Sequence, residues 1–426
     1  MRVGFVTQWY PPEPGTHLPQ SIASGLAGRG HEVHVLTGFP NYPTGRLRPD
    51  YPLRPYRREQ SVDGVTVHRA PLYPSHDSAP VQRAFNYGTF AVSSSAVARL
   101  KMPVPDVWLT YSSPATSALA PMTYRFRHRR PSCLIIQDLW PDSVTDSGMV
   151  PARLADIMRP PIDRFCRLAY RNAAAVGVIS PSMRQILESR GVPAAKIFDT
   201  PNWSTDDLLR PDLPSSTALR RELGLPAGRL FMYVGNLGRM QALDSLVRGF
   251  SRAERAQLVL IGDGVSRSSL VDLVRDEGAD NVHVLGPRPA TDIGKYIAAS
   301  DVQIISLMDT PLLRATMPSK MQFSLASARP LLAHAAGDVA ELVSSEGVGL
   351  GVQPGDSAAL ALAVQEFSAM TPDQLQRIGC RSRTLYESRF SQRAGLDRLE
   401  RMLLHAIRSS PAGQAHPADF AARRQT

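Results

Sequence analysis

Short unbroken apolar runs alternate along this chain with longer stretches in which apolar residues return every third or fourth position. That alternation predicts parallel sheets covered by helices on both faces, because a strand buried on both sides reads as a continuous apolar run. In the first half the predicted strands are 3–7, 33–36, 65–69, 107–109, 133–137 and 174–179; in the second they are 230–234, 257–261, 282–285, 302–307, 330–333 and 348–352. The fold class is therefore α/β, with two similar sheets. A chain of 426 residues also exceeds what one hydrophobic core usually organises, so two domains of about 200 residues each are expected. The periodic patterns lapse across 202–228, where Pro211, Pro214, Ser215 and Ser216 concentrate. This divides the chain into a domain at 1–205, a linker at 206–228 and a second domain at 229–385. A further amphipathic helix, about 386–408, carries Leu396, Leu399, Met402 and Leu403, and the small, polar, proline-containing stretch 409–426 is predicted to be disordered.

Composition narrows the class. Apolar content of 43% with 20% charged residues is that of a globular enzyme. The chain contains no apolar run long enough to span a bilayer, and its first residues enter a strand pattern at once, so a cytoplasmic protein is expected. Cys133, Cys166 and Cys380 are widely spaced and form no Cys-x-x-Cys pair, which argues against a disulfide framework and a structural zinc site. The formal charge of +10 rests on arginine, since Lys101, Lys196, Lys295 and Lys320 are the only lysines. Basic residues gather at Arg46, Arg48, Arg54, Arg57 and Arg58, at Arg125, Arg127, Arg129 and Arg130, and at Arg153, Arg159, Arg164, Arg167 and Arg171. Tyr51, Tyr56, Phe126, Met158, Phe165 and Leu168 lie among them. This mixture suits docking onto an anionic membrane surface. Nucleic acid is not an expected partner, because no recognisable reading module accompanies the charge.

Two segments carry the strongest chemistry. The turn Gly235-Asn236-Leu237-Gly238-Arg239 follows the strand 230–234, and Pro-Leu-Leu-Arg-Ala-Thr-Met-Pro-Ser-Lys at 311–320 follows the strand 302–307. Both should lie at the carboxyl edge of one parallel sheet, where ligands bind. The first offers bare backbone N–H groups and a guanidinium; the second offers Arg314, Lys320 and a helix start near Thr316 or Ser319. Together they describe a diphosphate site.

Further motifs extend through the chain: Tyr10-Pro-Pro-Glu13, Gly30-His-Glu-Val33, the run 35–43, Asp138-Leu-Trp-Pro-Asp142, Pro201-Asn-Trp203, Gly262-Asp-Gly264 and Met317-Pro-Ser-Lys320. With the glycine turn, this ordered set resembles the GT-B glycosyltransferases of family 4, in the WbuB-like branch that builds bacterial surface polysaccharide and O-antigen. The resemblance implies two facing Rossmann-like domains with a deep interdomain cleft. The carboxyl-terminal domain would hold a nucleotide-diphosphate sugar and the amino-terminal one the acceptor, with the last helix crossing back to the first domain. It implies no cofactor beyond the donor substrate.

Sugar transfer from a nucleotide needs a place for the charge that builds on the departing diphosphate. The chain contains no Asp-x-Asp pair for a metal, so Arg239, Lys320 and the helix beginning near Ser319 are expected to neutralise it. Donor-binding expectations add Gly235, Asn236, Gly238, Arg314, Gln322, Gly264, Leu285 and Glu341, with the base against 262–265 and 284–287. Two departures from the family stand out. Gln241 occupies the place of an expected lysine, and the positions of a Glu-x7-Glu pair fall near Ala315 and near Gln322 or Phe323, so Gln322 or Glu341 would have to supply those contacts. On the acceptor side the candidates are Gly15, His17, Asn41, Tyr42 and Trp140. Asp138, at a buried strand's end, either bonds the acceptor hydroxyl and takes its proton or caps the turn 141–145. The reading is a retaining, metal-independent glycosyltransferase using a UDP-sugar and a lipid-linked or related carbohydrate acceptor, peripheral on the inner membrane face. The alternatives are a nucleotide-sugar 2-epimerase of the same fold and a non-catalytic nucleotide-sugar-binding subunit.

Overall fold

The computed structural model describes residues 1–75, 80–145, 151–204, 220–221, 223–253 and 255–410. Most of the expected linker and the tail from 411 onward lie outside the described residues, as do the side chains of Phe126 and Arg127. The chain forms two compact units, one running Met1–Pro201 and resuming at Gly395, the other Asn202–Ala394.

The first unit is built on β1 (Arg2–Val6), β2 (Glu32–Gly38), β3 (Arg57–Gln60), β4 (Thr66–Ala70), β5 (Val107–Ser112), β6 (Ser132–Ile136), β7 (Ala175–Val178) and β8 (Ile197–Asp199). Their order in the sheet is β3-β4-β2-β1-β5-β6-β7-β8. All pair in parallel except β3, which runs antiparallel to β4. The second unit contains β9 (Arg229–Val234), β10 (Ala256–Ile261), β11 (Val282–Leu285), β12 (Val302–Ser306), β13 (Leu331–His334) and β14 (Gly349–Val352), parallel throughout in the order β11-β10-β9-β12-β13-β14.

In each sheet the first strand has its successor on one side and a later strand on the other. The loops leaving β1 and β5, and those leaving β9 and β12, therefore diverge and open a crevice at the carboxyl edge, the switch point of a Rossmann-like sheet. The central strands are buried along almost their whole length, which is why their apolar runs were unbroken. β3 and β8 did not announce themselves. β3 is Arg-Arg-Glu-Gln and β8 is a three-residue edge strand; an edge need not bury both faces, so neither carries the apolar signature.

The carboxyl-terminal pattern resolves into a helix at Pro372–Leu385, a wide turn at Tyr386–Phe390 and a separate helix at Gln392–Arg408. That last helix belongs to the first unit. Leu396 fills the space left by Gly25, where a β-carbon would lie 2.5 Å from the leucine. Arg29 pairs with Asp397 at 2.7 Å and Glu400 at 3.0 Å.

Candidate active site

In the second unit, β9 runs straight into the glycine turn. Gly235 has φ +140°, and a β-carbon there would lie 2.4 Å from Cε of Lys320, so glycine is what lets the lysine stem cross the turn. Gly262, with φ +148°, is more constrained still: a β-carbon would meet the Gly235 carbonyl at 1.9 Å. The loop after β10 thus braces the turn after β9, and Gly264 packs against the carbonyl of Leu237.

The turn is polarised. Its carbonyls face protein donors: Asn236 O accepts from the Tyr233 hydroxyl at 2.8 Å, Leu237 O from Ser266 N–H at 2.9 Å and Met240 O from Met308 N–H at 2.9 Å. Gln241 O accepts from the Ser306 hydroxyl at 2.6 Å, and Ala242 O from Ser245 at 2.9 Å. The N–H groups of Asn236 and Arg239 meet no acceptor among the described residues. Those two amides, beside carbonyls already satisfied by protein donors, suit an anion-binding concavity, although Leu237 N–H is taken by Asp263 O at 2.8 Å. Gln241 closes the turn on itself, its side-chain oxygen accepting from Gly238 N–H at 3.1 Å.

Lys320 is the second residue of the helix Ser319–Ala326, whose exposed first residue is Ser319. Its ammonium donates to the Tyr233 hydroxyl and sits 3.9 Å from the centre of that ring. Burial without an acidic partner pushes its pKa down to about 7. Arg239 is exposed at the other end of the turn, with no side-chain partner among the described residues. It opens into a cavity of about 630 Å³ lined also by Gly238, Asp244, Ser245, Met308 and Asp309. Lys320 is not among the lining residues, so the two cations share one turn without sharing one pocket.

Two donor-side expectations need correction. Arg314 grips Asp309 with both arms, Nε to Oδ1 at 2.5 Å and Nη2 to Oδ2 at 2.8 Å, so its charge is already neutralised. Gln322 is buried, and its amide nitrogen donates to the carbonyls of Pro318 at 2.9 Å and Ser319 at 3.0 Å, securing the helix start rather than reaching a ligand. Ahead of that helix, Thr310 caps a helical turn at Pro311–Arg314. Glu341 is exposed on the helix Asp338–Ser345 after β13, and Leu285 closes β11 beside Ile261. Tyr233, which holds both Lys320 and the Asn236 carbonyl, was hidden in an apolar run.

The first unit carries a second cavity, of about 430 Å³, lined by Trp9, Arg83, Tyr87, Ser113, Asp138 and Trp140 among others. Asp138 follows β6 and Ser113 follows β5; the serine hydroxyl donates to Asp138 Oδ2 at 2.7 Å. The carboxylate is exposed to the cavity, with protein atoms close around it. The lost hydration raises its pKa, with the Ser113 bond opposing. The turn 141–145, which Asp138 was alternatively read to cap, contains a short helix at Asp142–Thr145. Rings follow one another across the mouth: Tyr42 to Trp9 at 6.3 Å, Trp9 to Tyr87 at 6.2 Å, Tyr87 to Trp140 at 5.9 Å between centroids. Tyr87 comes from the helix Pro80–Leu100, and no local motif marked it.

Asn41 does not serve as an acceptor contact. It is 3% exposed, gives its N–H to Glu13 Oε1 at 2.8 Å and its side-chain amide to Phe39 O at 3.0 Å. Glu13, also buried, collects the N–H groups of Tyr42 at 2.9 Å and Tyr10 at 3.3 Å; burial raises its pKa against those bonds. Arg69 is almost wholly buried and donates to Pro11 O at 2.6 Å and Gly38 O at 3.1 Å. These two buried charges pin the loops after β1 and β2. Gly15 and His17 are exposed, His17 opening the helix His17–Gly28, and neither lines the cavity.

Two Rossmann-like units, each with a polar crevice at the carboxyl edge of its sheet, define a transferase of GT-B architecture. Comparison with known proteins agrees: residues 15–203 match the glycosyl transferase 4-like domain, and residues 228–369 match the glycosyl transferases of group 1. The chain belongs to the family 4 glycosyltransferases and is an enzyme of that class. It is 27% identical, over 71% of its length and 74% of the relative's, to the protein of Escherichia coli K12 assigned to colanic acid biosynthesis as the glycosyl transferase WcaI. Sucrose-phosphate synthase of Thermosynechococcus elongatus shares the fold over 99% of both chains at 20% identity, with a TM-score of 0.69. Anabaena HepE, solved with UDP, does so over 95% of this chain and 100% of its own at 16% identity, with a TM-score of 0.66.

Proposed function

We propose that this enzyme moves a sugar from a nucleotide-diphosphate sugar, a UDP-sugar first of all, to a lipid-linked or related carbohydrate acceptor in cell-surface polysaccharide biosynthesis. The transfer is metal-independent and retains the anomeric configuration. The observation that carries this reading is the polarised turn between Lys320 and Arg239, whose amides and cations suit a diphosphate. Named neighbours support it: HepE was solved with UDP and with UDP-glucose, WaaG acts in lipopolysaccharide biosynthesis, and WcaI is assigned to colanic acid. The matches do not favour an epimerase or a non-catalytic subunit.

In this mechanism the bond from the anomeric carbon to the diphosphate breaks with its electron pair going to phosphate oxygen, where Lys320, Arg239 and the turn amides stabilise the charge. The acceptor oxygen bonds to the same carbon, and its proton passes to Asp138, whose raised pKa makes it a better base than an ordinary carboxylate. The departing diphosphate assists the hydroxyl on its own face, which accounts for retention. The aromatic rings at Trp9, Tyr87 and Trp140 supply flat walls for the acceptor. Docking on an anionic membrane is supported by the helix Ala152–Asn172, which exposes Arg153, Ile157, Arg164, Leu168 and Arg171 along one face. Among the described residues, no helix is long and apolar enough to cross a membrane.

A thermal-shift screen of UDP-, GDP- and dTDP-sugars tests the donor half. A cognate donor at a hundredfold excess over its dissociation constant stabilises the fold by about 2.7 kcal/mol. Lys320→Ala and Arg239→Ala should lose most of that shift and lower turnover about a hundredfold each. Asp138→Asn should keep the shift while transfer falls by roughly 10²- to 10⁴-fold. Undiminished donor binding by both cation variants would sink the reading.

A further inference from the structure

We infer that His334 is a positioning residue, which through Ser306 and Ser245 clamps the Arg239 turn in its anion-binding form. The inference rests on reading that turn as the donor site.

His334 ends β13 and is fully buried. Its Nδ1 lies 2.8 Å from Ser306 Oγ at the end of β12, and its Nε2 lies 3.2 Å from Ser245 Oγ in the first turn of the helix Leu243–Phe250. Each serine also faces a turn carbonyl, Gln241 O at 2.6 Å from Ser306 and Ala242 O at 2.9 Å from Ser245. One ring therefore reaches two consecutive carbonyls through two hydroxyls. The residue between those contacts is special: Ala242 has φ 46° and ψ 41°, a left-handed conformation that a residue with a β-carbon keeps only when its surroundings impose it. The turn needs this reversal, because it carries the chain from the Arg239 turn into the helix.

Proton counting gives the clamp a direction. A neutral imidazole has one N–H and one lone pair, and burial keeps this ring neutral by pushing its pKa down to about 4. The shorter contacts assign the N–H to Nδ1, donating to Ser306, which passes its own hydrogen to Gln241 O. Ser245 then shares its hydrogen between Ala242 O and the bare Nε2. The relay crosses from β13 through β12 to the turn, adding side-chain bonds at Gln241 and Ala242 to the backbone bond from Met308 N–H to Met240 O. His334 does not line the Arg239 cavity, whereas Ser245 and Arg239 do, so it acts through its partners and not on the substrate.

Hydrogen exchange of the unliganded protein, combined with calorimetric titration of UDP and steady-state kinetics, tests the clamp. In His334→Leu, the bonded turn amides of Leu237, Gly238 and Gln241 should exchange about tenfold faster while β9 and β12 keep their protection, and the UDP dissociation constant should rise about tenfold. The donor KM should rise with it, and the acceptor KM should not move. His334→Asn, whose amide can donate toward Ser306, should recover most of both losses. Should the leucine variant fail to fold, Ser306→Ala removes the same relay without a large cavity and should show the same changes. Wild-type exchange at the turn and wild-type UDP affinity in either folded variant would overturn the inference. Faster exchange in a protein whose wild type binds no nucleotide would leave the clamp standing and remove the donor reading instead.

Discussion

Lys320 occupies a place that suits a ligand better than it suits the empty protein. Its ammonium rests on an aromatic ring, short of water and without a carboxylate, so its pKa falls from 10.5 to about 7. A diphosphate would restore the charge and raise that pKa. UDP binding at pH 8 should therefore take up a fraction of a proton, whereas at pH 5.5, with the lysine charged in both states, it should take up none on this account. Calorimetry in two buffers of different ionisation enthalpy reads the difference, and Lys320→Met should abolish it. The same shift acts on stability. Between pH 7 and 10.5 the unfolded chain holds this proton and the folded one does not, so the lysine's burial destabilises most at and below pH 7 and progressively less as pH rises through that window. Residue type alone was a poor guide at this scale. Arg239 and Arg314 look alike in sequence, yet one has no side-chain partner among the described residues and the other is held by Asp309. Gln322 and Asn41 are polar residues in promising motifs, but backbone carbonyls and Glu13 occupy them.

At the scale of elements, the two missed strands, β3 and β8, are edges without an apolar run, whereas the edges β11 and β14 kept enough apolar residues to be legible. Helix Ala152–Asn172 shows what charge counting leaves out. Arg159 is engaged by Asp142 at 3.0 Å and Arg167 by Asp163 at 2.7 Å, while Arg153, Arg164 and Arg171 have no acidic partner among the described residues. Elsewhere in the basic clusters Arg48 meets Asp50 at 3.0 Å and Arg57 meets Glu59 at 2.7 Å. The charge left for the proposed docking is thus smaller than the arginine count, and part of it lies on the same helix face as Ile157 and Leu168, which are 71% and 50% exposed. Reversing Arg153, Arg164 and Arg171 to Glu should weaken binding to vesicles containing anionic phospholipid by about a hundredfold or more, at roughly 1 kcal/mol per well-placed charge. Co-sedimentation checks this; a variant that binds as wild type would dismiss the helix as the docking face.

Over the whole molecule, the last helix does what its position in the chain does not suggest. It buries Leu396, Leu399, Met402, Leu403 and Ile407 in the first unit. At about 2 kcal/mol per large apolar side chain this approaches the net stability of a domain. A chain ending at Phe390 should lose the cooperative folding of the first unit, seen as a red shift of emission from the buried Trp108, and retain a transition from the second. Unchanged emission and melting would show that the first unit stands without it.

The order of apolar runs, the glycine turn and the lysine in the first turn of the helix Ser319–Ala326 were determined by sequence, because each is a local pattern: buried strands need unbroken apolar residues, and close approach of backbone and side chain needs glycine. Which charged groups stay available was decided only in three dimensions. Glu13 against the Asn41 backbone, Ser113 against Asp138 and His334 between two serines are pairings of loops and strand ends brought together by sheet order. A hydrogen bond depends on distance in space, which sequence spacing alone does not reveal.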